Sequence, residues 1–150
     1  MGPLRIYVDN SVVGGCQDEE FKEASNKLMD MARNGKVVLL ISDLLVEELR
    51  PAPPEVREVL PSLPEGALER VEITDEAEAL KDAYLAAGVV GEASARDALH
   101  VAVATVVGAD MIVSWNFGHI VHHDKIRGFH AVNMLKGYPL IGIFSPLEVV

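Results

Sequence analysis

The sequence predicts an α/β domain with a mainly parallel central sheet of about five strands and helices on both faces. The first observation is that short apolar runs of strand length alternate with segments of helical periodicity along all 150 residues. The second is that the run at 37–41 is an uninterrupted Val, Leu and Ile stretch, as in strands covered on both faces. Because residues 1–150 contain no repeat, low-complexity tract or long linker, we assign them to one domain.

The predicted elements follow in the order β-α-β-α-α-β-α-α-β-α-β. Strands are predicted at 4–8, 37–41, 70–73, 111–114 and 140–144, and helices at 18–33, 55–60, 74–87, 94–107 and 123–135. A further short helix begins after a cap at Ser42 or Asp43 and is stopped by Pro51. Glycines 35, 88 and 108 end three of the longer helices, since glycine readily adopts the left-handed conformation there.

The bulk composition limits the classes of protein that this chain can belong to. Hydrophobic residues make up 49% and charged residues 24%, which excludes a disordered chain. The single cysteine, Cys16, excludes an intrachain disulfide and suits a reducing cytoplasm. The N-terminus lacks the form of a signal peptide, and no segment reaches the roughly 20 apolar residues that a membrane helix needs. We therefore expect a soluble, cytoplasmic protein.

The charge balance is strongly acidic. Thirteen Lys and Arg residues face 23 Asp and Glu residues, giving a formal net charge of −10. This balance argues against a broad basic surface for nucleic acid. It does not exclude a nuclease, because carboxylates gathered to hold divalent cations add negative charge that a bound metal neutralises.

Oxygen-bearing side chains follow several of the predicted strands. Asp9 and Ser11 come after the first strand, Glu48 lies in the helix after the second, and Asn116 follows the fourth. Asp97 lies near the start of the most apolar helix. Because sites in parallel α/β sheets form at the carboxyl ends of strands, we expect these side chains to share one edge of the sheet. Clustered carboxylates stay ionised together only around a cation, and hard oxygen ligands favour Mg²⁺ or Mn²⁺. Such a site suits phosphodiester hydrolysis.

Each of these residues also has a purely structural interpretation. Asp9 suits a turn or a helix cap, and Asp97 suits the first turn of a helix, where the dipole favours an acid. One of Glu47 and Glu48 is expected to be a solvated acid paired with Arg50. His100 is better explained as a core or supporting histidine than as a ligand. The spacing of histidines 119, 122 and 123 matches no standard zinc site.

Five segments, in order along nearly the whole chain, resemble the motifs of the PIN-domain family and its VapC-like toxin ribonucleases. They are residues 6–12 with the first acid, 41–49 with the family glutamate, 96–104 with the third acid, 111–120 with the fourth strand motif, and 137–146 with the closing strand.

The resemblance implies a role for each matching residue. Asp9, Glu48 and Asp97 become ligands of Mg²⁺ or Mn²⁺, with Glu48 chosen over its neighbour because the family glutamate usually precedes a leucine. Ser11 becomes a group beside the metal. The fourth acidic position falls on Asn116, which departs from the aspartate of many family members and brings no charge. His119, three residues later, is open to either a phosphate contact or helix packing.

The resemblance further implies an endoribonuclease that forms the toxin half of a toxin–antitoxin pair. Its expected partners are an RNA substrate and a cognate antitoxin whose basic tail enters the acidic cleft. A homodimer is also implied.

Two other functions stay open at this point. A non-catalytic PIN-like module that binds RNA or protein is motivated by Asn116 and by the acidic balance. A phosphoacceptor receiver-type domain also gathers acids around Mg²⁺, but it needs a Lys after a late strand, where this chain has Ser145 and Pro146.

Overall fold

The computed structural model describes residues 2–150 and contains a five-stranded sheet in which every pair of neighbouring strands is parallel. The strands lie in the order β3-β2-β1-β4-β5. They are β1 (Leu4–Val8), β2 (Val37–Ser42), β3 (Leu68–Val71), β4 (Met111–Val113) and β5 (Gly142–Phe144). The α/β class predicted from the alternating pattern is confirmed.

Seven α-helices cover the two faces of the sheet. They are α1 (Asn10–Gly15), α2 (Lys22–Arg33), α3 (Asp43–Leu49), α4 (Pro54–Arg57), α5 (Asp75–Ala86), α6 (Ala95–Val106) and α7 (His123–Leu135). One core cluster joins α1, α2 and α4 to one face, and the other joins α5, α6 and α7 to the opposite face. In β1, Ile6 and Val8 face the first cluster and Tyr7 the second, all fully buried. Across residues 2–150, no helix combines the length and apolar character that a membrane crossing requires.

The structure corrects the sequence prediction at several elements; among the helices, α2 begins at Lys22 instead of residue 18, and α4 ends at Arg57 instead of residue 60. Helix α1 was not predicted, because its two glycines lower helix propensity and Asp9 to Ser11 suited a turn. The third strand begins at Leu68 and ends at Val71, instead of spanning 70–73, and the last strand has only the three residues of β5. Pairing with a neighbouring strand sets these limits, as Leu68 pairs with Leu39 in β2. Local periodicity does not contain that information.

The strand order creates a switch point beside β1. The chain moves outward from β1 to β2 and β3, then returns to place β4 on the other side of β1. In open parallel sheets, ligands bind in the crevice outside the carboxyl ends of the strands at such a point. A receiver-type domain has the order 2-1-3-4-5, which this sheet does not share.

Helix α1 approaches its neighbours so closely that Gly15 has no room for a side chain. A Cβ atom at this position would lie 2.5 Å from Ser25 Oγ and 2.8 Å from Trp115 Nε1. These two atoms are themselves joined by a buried hydrogen bond of 2.8 Å. At the adjacent Gly14, a Cβ would meet nothing within 4 Å. The close packing of α1 therefore depends on one glycine and not on the other.

We expect Gly15→Ala to lower the free energy of unfolding by about 1–3 kcal/mol, because Ser25 and Trp115 must shift to admit the methyl group. Gly14→Ala is the matched control, with an expected gain of up to about 1 kcal/mol from helix propensity. Urea unfolding followed by the fluorescence of Trp115, the single tryptophan, measures both. Equal stabilities of the two variants would contradict the packing analysis.

Candidate active site

A cleft of about 640 Å³ lies at the carboxyl ends of β1 and β4, at the switch point of the sheet. Five of the residues that line it were singled out from the sequence, namely Asp9, Ser11, Glu48, Asp97 and Asn116. Glu47 does not line the cleft; its exposed carboxylate is 3.9 Å from an Arg96 nitrogen. The fold thus brings residues from four separate segments to one place.

Asp9 caps helix α1 and is held by hydroxyl groups on both oxygens. Its Oδ1 accepts hydrogen bonds from Ser11 Oγ at 2.6 Å and from the Val12 amide at 3.4 Å. Its Oδ2 accepts one from Ser114 Oγ at 2.6 Å. The side chain is only 2% exposed. The cap and the site interpretations of this aspartate therefore apply together, since the cap fixes the carboxylate at the floor of the cleft.

Glu48 is held in the cleft by two basic side chains from helix α6. Its Oε1 lies 2.6 Å from His100 Nε2, and its Oε2 lies 3.4 Å from Arg96 Nε. Although burial opposes ionisation of Glu48, its hydrogen bonds to His100 and Arg96 and nearby positive charge lower its pKa below the usual value. Arg96 is 58% exposed and makes a long contact, so this pair contributes little stability and separates easily.

His100 continues inward from Glu48 to a buried polar chain. Its Nδ1 lies 2.7 Å from the Tyr7 hydroxyl, which lies 2.7 Å from Ser42 Oγ. Ser42 is the N-cap of α3 and accepts a hydrogen bond from the Leu45 amide at 3.3 Å. Burial raises the pKa of Tyr7, so its hydroxyl stays protonated. His100 is thus a supporting residue of the core, as its apolar surroundings predicted, and not a free ligand.

Asp97 differs from the other two acids because no protein group within residues 2–150 donates a hydrogen bond to its carboxylate. Burial raises its pKa, and the negative charges of Asp9 and Glu48 raise it further, whereas His119 and His100 act in the opposite direction. The charges of the Asp9 and Glu48 carboxylates therefore both affect the pKa of Asp97. It is the group in the cleft with the most to gain from a bound cation.

Asn116 closes the cleft on the side of β4. Its Oδ1 accepts a hydrogen bond from the His119 amide at 2.9 Å, so its side chain orders the turn that follows. Asn116 is the departure from an acidic residue noted in the sequence, and it adds an amide oxygen without charge. The His119 ring is exposed. His122 caps α7 through its ring, with Nδ1 accepting from the Asp124 amide at 3.3 Å.

The donor set fits a hard divalent cation in its chemistry. All the acidic lining groups offer oxygen, and burial, together with the charges of Asp9 and Glu48, raises the pKa of Asp97, a shift that a bound cation would oppose. The ligands are not preassembled: among residues 2–150, no three His, Cys, Asp or Glu side chains stand close enough together to hold a metal ion. Glu48 explains part of this, because its two oxygens are engaged by His100 and Arg96.

Several residues of the site were not found from the sequence. Ser114 was assigned only as the end of a strand, yet it donates to Asp9 and accepts from the Asn116 amide. Tyr7 was assigned only as part of the first strand, and Arg96 only as part of a motif. Ser114 lies 105 residues from its partner Asp9, Tyr7 lies 93 from His100, and Arg96 lies 48 from Glu48. No local pattern in the sequence signals contacts over such separations.

Comparison with known proteins supports the fold of this chain but does not bear on the chemistry of its cleft. The solved structure of VapBC2 from Rickettsia felis, bound to a DNA fragment from its promoter, matches with a TM-score of 0.58. The two chains are 14% identical, and the match covers 95% of this chain and 98% of that one. No family model matches the sequence, and the search of curated proteins gives no match. The chain therefore shares the α/β fold of the matched VapBC2 chain.

The raised pKa of Asp97 predicts how stability changes with pH. Because the folded state holds this proton more tightly than the unfolded chain, ionising Asp97 costs stability. The cost is complete above the raised pKa and absent below the ordinary value of 3.8. In EDTA, we expect Asp97→Asn to melt above the wild type at neutral pH, with a gap that narrows as the pH falls toward 3.8.

Asp124→Asn is the control, because Asp124 occupies the first turn of α7 as Asp97 does in α6 but is exposed outside the cleft. Thermal melts monitored by circular dichroism across this pH range measure both variants. A melting-temperature gap for Asp97→Asn that is absent at neutral pH, or constant with pH, would contradict the electrostatic analysis.

Proposed function

We propose that this protein is a Mg²⁺- or Mn²⁺-dependent endoribonuclease that hydrolyses phosphodiester bonds. The observation that carries the proposal is the convergence of Asp9, Glu48, Asp97 and Asn116 on one cleft at the switch point of the sheet. With the exposed Asp18, four acidic side chains line the cleft. Carboxylates in a confined space repel one another, and a divalent cation relieves that repulsion.

The side chains divide the work of such a site. Asp9, Glu48 and Asp97 hold the cation, with Ser11 and Ser114 fixing the orientation of Asp9. When bound, the cation supplies Lewis acidity and neutralises charge on the phosphodiester. Asn116 orders the turn at His119 through its side-chain amide, but this amide cannot take up a proton. Loss of charge at this position predicts weaker cation binding than a fourth carboxylate would give.

The biological setting proposed here is a cytoplasmic toxin–antitoxin pair, in which this chain is the toxin and acts as a homodimer. The structural match to VapBC2 supports the pairing with an antitoxin. The charge of the cleft supports the kind of contact: a basic segment of the antitoxin complements the acidic lining and the net charge of −10.

The direct test is cleavage of mixed tRNA and rRNA by the purified protein in Mn²⁺ or Mg²⁺. We expect cleavage that EDTA abolishes and that Asp9→Asn reduces by at least about 100-fold, since the carboxylate charge is lost from the centre of the site. Glu48→Gln should behave like Asp9→Asn. The matched control is Glu47→Gln, which removes an adjacent exposed carboxylate outside the cleft.

Metal binding gives a second readout that does not depend on the choice of RNA. Mn²⁺ should raise the melting temperature of the wild type and of Glu47→Gln, because a ligand that binds only the folded state stabilises it. This increase should vanish in Asp97→Asn. RNA that stays intact with every metal, while still binding the protein, would replace the nuclease with a non-catalytic binding module.

RNA as the substrate is supported by an aromatic rim beside the cleft. Phe21 stacks on Trp115 at a ring separation of 4.2 Å, and Phe117 meets the edge of Trp115 at 6.1 Å. Phe21 and Trp115 line the cleft but are half-buried and 6% exposed, respectively, so the ring available for stacking is that of Phe117, 46% exposed directly after Asn116. Exposed aromatic rings stack on unpaired bases, and this stacking tolerates sequence variation. The proposed substrate is therefore unpaired where it crosses this rim.

We expect Phe117→Ala to weaken binding of a short labelled single-stranded oligoribonucleotide by about 5- to 100-fold, as loss of one stacked base does elsewhere. Fluorescence anisotropy in EDTA measures binding without cleavage. Met134→Ala is the control, since Met134 is an apolar side chain, 66% exposed on α7, that has no aromatic ring to stack on a base. Equal losses in the two variants would mean that Phe117 contributes only general apolar surface.

A further inference from the structure

Behind Glu48 lies a chain of three polar side chains sealed from solvent. Ser42 and Tyr7 are 0% exposed and His100 is 1% exposed. Ser42 lies at the end of β2, Tyr7 in β1 and His100 in α6. The Tyr7 hydroxyl is 2.7 Å from Ser42 Oγ and 2.7 Å from His100 Nδ1. This series of hydrogen-bonded side chains ends at the carboxylate of Glu48, whose Oε1 is 2.6 Å from His100 Nε2.

The chemistry of the two ends favours one set of hydrogen-bond directions in between, which we take as part of the proposal. At the inner end, the Leu45 amide donates to Ser42 Oγ at 3.3 Å. At the outer end, an ionised Glu48 carboxylate only accepts, so His100 Nε2 carries a proton and donates it. In the proposed set the ring is neutral, so that Nδ1 presents a lone pair that accepts from the Tyr7 hydroxyl. Tyr7 in turn accepts from the Ser42 hydroxyl, and all donors point toward Glu48.

Burial makes this arrangement hard to replace. No buried side-chain nitrogen or oxygen within residues 2–150 lacks a hydrogen-bond partner. Rotating or removing one member leaves a neighbour unsatisfied away from water, which is costly. His100 therefore occupies Oε1 of Glu48. Within residues 2–150, the remaining oxygen, Oε2, has a single hydrogen-bond partner, the exposed Arg96 at 3.4 Å.

We propose that Ser42, Tyr7 and His100 form a positioning chain that fixes the Glu48 carboxylate and reserves its Oε2 for the divalent cation. This role rests on the proposed function, because it assigns the cation to the cleft. In this arrangement Arg96 neutralises Oε2 in the free protein and withdraws when the cation binds. As the N-cap of α3, Ser42 connects the positioning chain to the backbone of the helix that carries Glu48.

The chain differs from an ordinary buried polar cluster in where it ends. Tyr84 is equally buried and donates to Asn133 at 2.5 Å, but that pair lies in the core and reaches no cleft residue. Tyr84→Phe is therefore a matched control for Tyr7→Phe: each removes one buried hydroxyl and keeps the ring.

The first experiment measures Mn²⁺ affinity by isothermal titration calorimetry. We expect His100→Leu to weaken Mn²⁺ binding by about 10- to 100-fold, the usual effect of losing a partner that orients a metal ligand. His100→Gln should recover most of the affinity, because its amide N–H reaches toward Glu48 much as Nε2–H does. Tyr7→Phe should weaken binding and Tyr84→Phe should not. A His100→Leu protein that folds and binds Mn²⁺ as tightly as the wild type would overturn the proposal.

The second experiment needs no metal. In ¹⁵N spectra of the histidine rings, with His100 assigned by its loss in His100→Gln, we expect a protonated Nε2 and an unprotonated Nδ1. Tyr7→Phe should shift the Nδ1 signal, and Tyr84→Phe should leave it unchanged. An unshifted Nδ1 signal in Tyr7→Phe, or a ring protonated on Nδ1 alone, would overturn the assigned directions.

These measurements separate the positioning chain from the proposed function. A wild type that binds Mn²⁺ in a His100-dependent manner but leaves all RNA intact removes the nuclease and keeps the positioning chain. If the wild type cuts RNA and His100→Leu binds Mn²⁺ as tightly as the wild type, the proposed nuclease stands and the positioning chain is ruled out. If the wild type binds no Mn²⁺, the assignment of a cation to Oε2 fails together with the proposed function, while the ring spectra still report whether Tyr7 and His100 hold Glu48.

Discussion

The repulsion among the carboxylates of Asp9, Glu48 and Asp97 is the constraint on which the organisation of this cleft depends. A parallel sheet brings the carboxyl ends of β1 and β4 together, and the acids that follow or face them are confined to one crevice. Negative charges cannot share such a space without hydrogen bonds, basic neighbours or a cation. The surrounding polar groups are arranged around that requirement.

The three acids differ in whether and how neighbouring groups meet this requirement. Asp9 is satisfied by hydroxyl and amide donors, which keep its carboxylate fixed. Glu48 is satisfied by His100 and Arg96, one deeply buried and one exposed. Asp97 has no such partner and carries the raised pKa that follows. Asp9 and Glu48 thus have hydrogen-bond donors within the protein, and Asp97 is where the proposed cation, or a basic segment of the proposed antitoxin, would supply positive charge.

Fold and chemistry carry different weight in the functional assignment. The likeness to VapBC2 covers almost the whole chain, but at 14% identity it establishes a fold and not a reaction. The reaction is proposed from the oxygen ligands, and the preference for RNA from the aromatic rim formed by Phe21, Trp115 and Phe117. Asn116 marks where this cleft departs from a fully acidic site, and it sets the expected strength of metal binding.

The sequence by itself determined the α/β class, most helices and the candidate acids, because apolar periodicity, glycine stops and residues after strands are local signals. It also favoured Glu48 over Glu47, but only through a family resemblance. The tertiary structure decided that α1 is a helix, where β3 and β5 begin, and that Ser114, Tyr7 and Arg96 support the acids. These features arise from contacts between residues far apart in the chain, and such contacts exist only after the strands have paired in register.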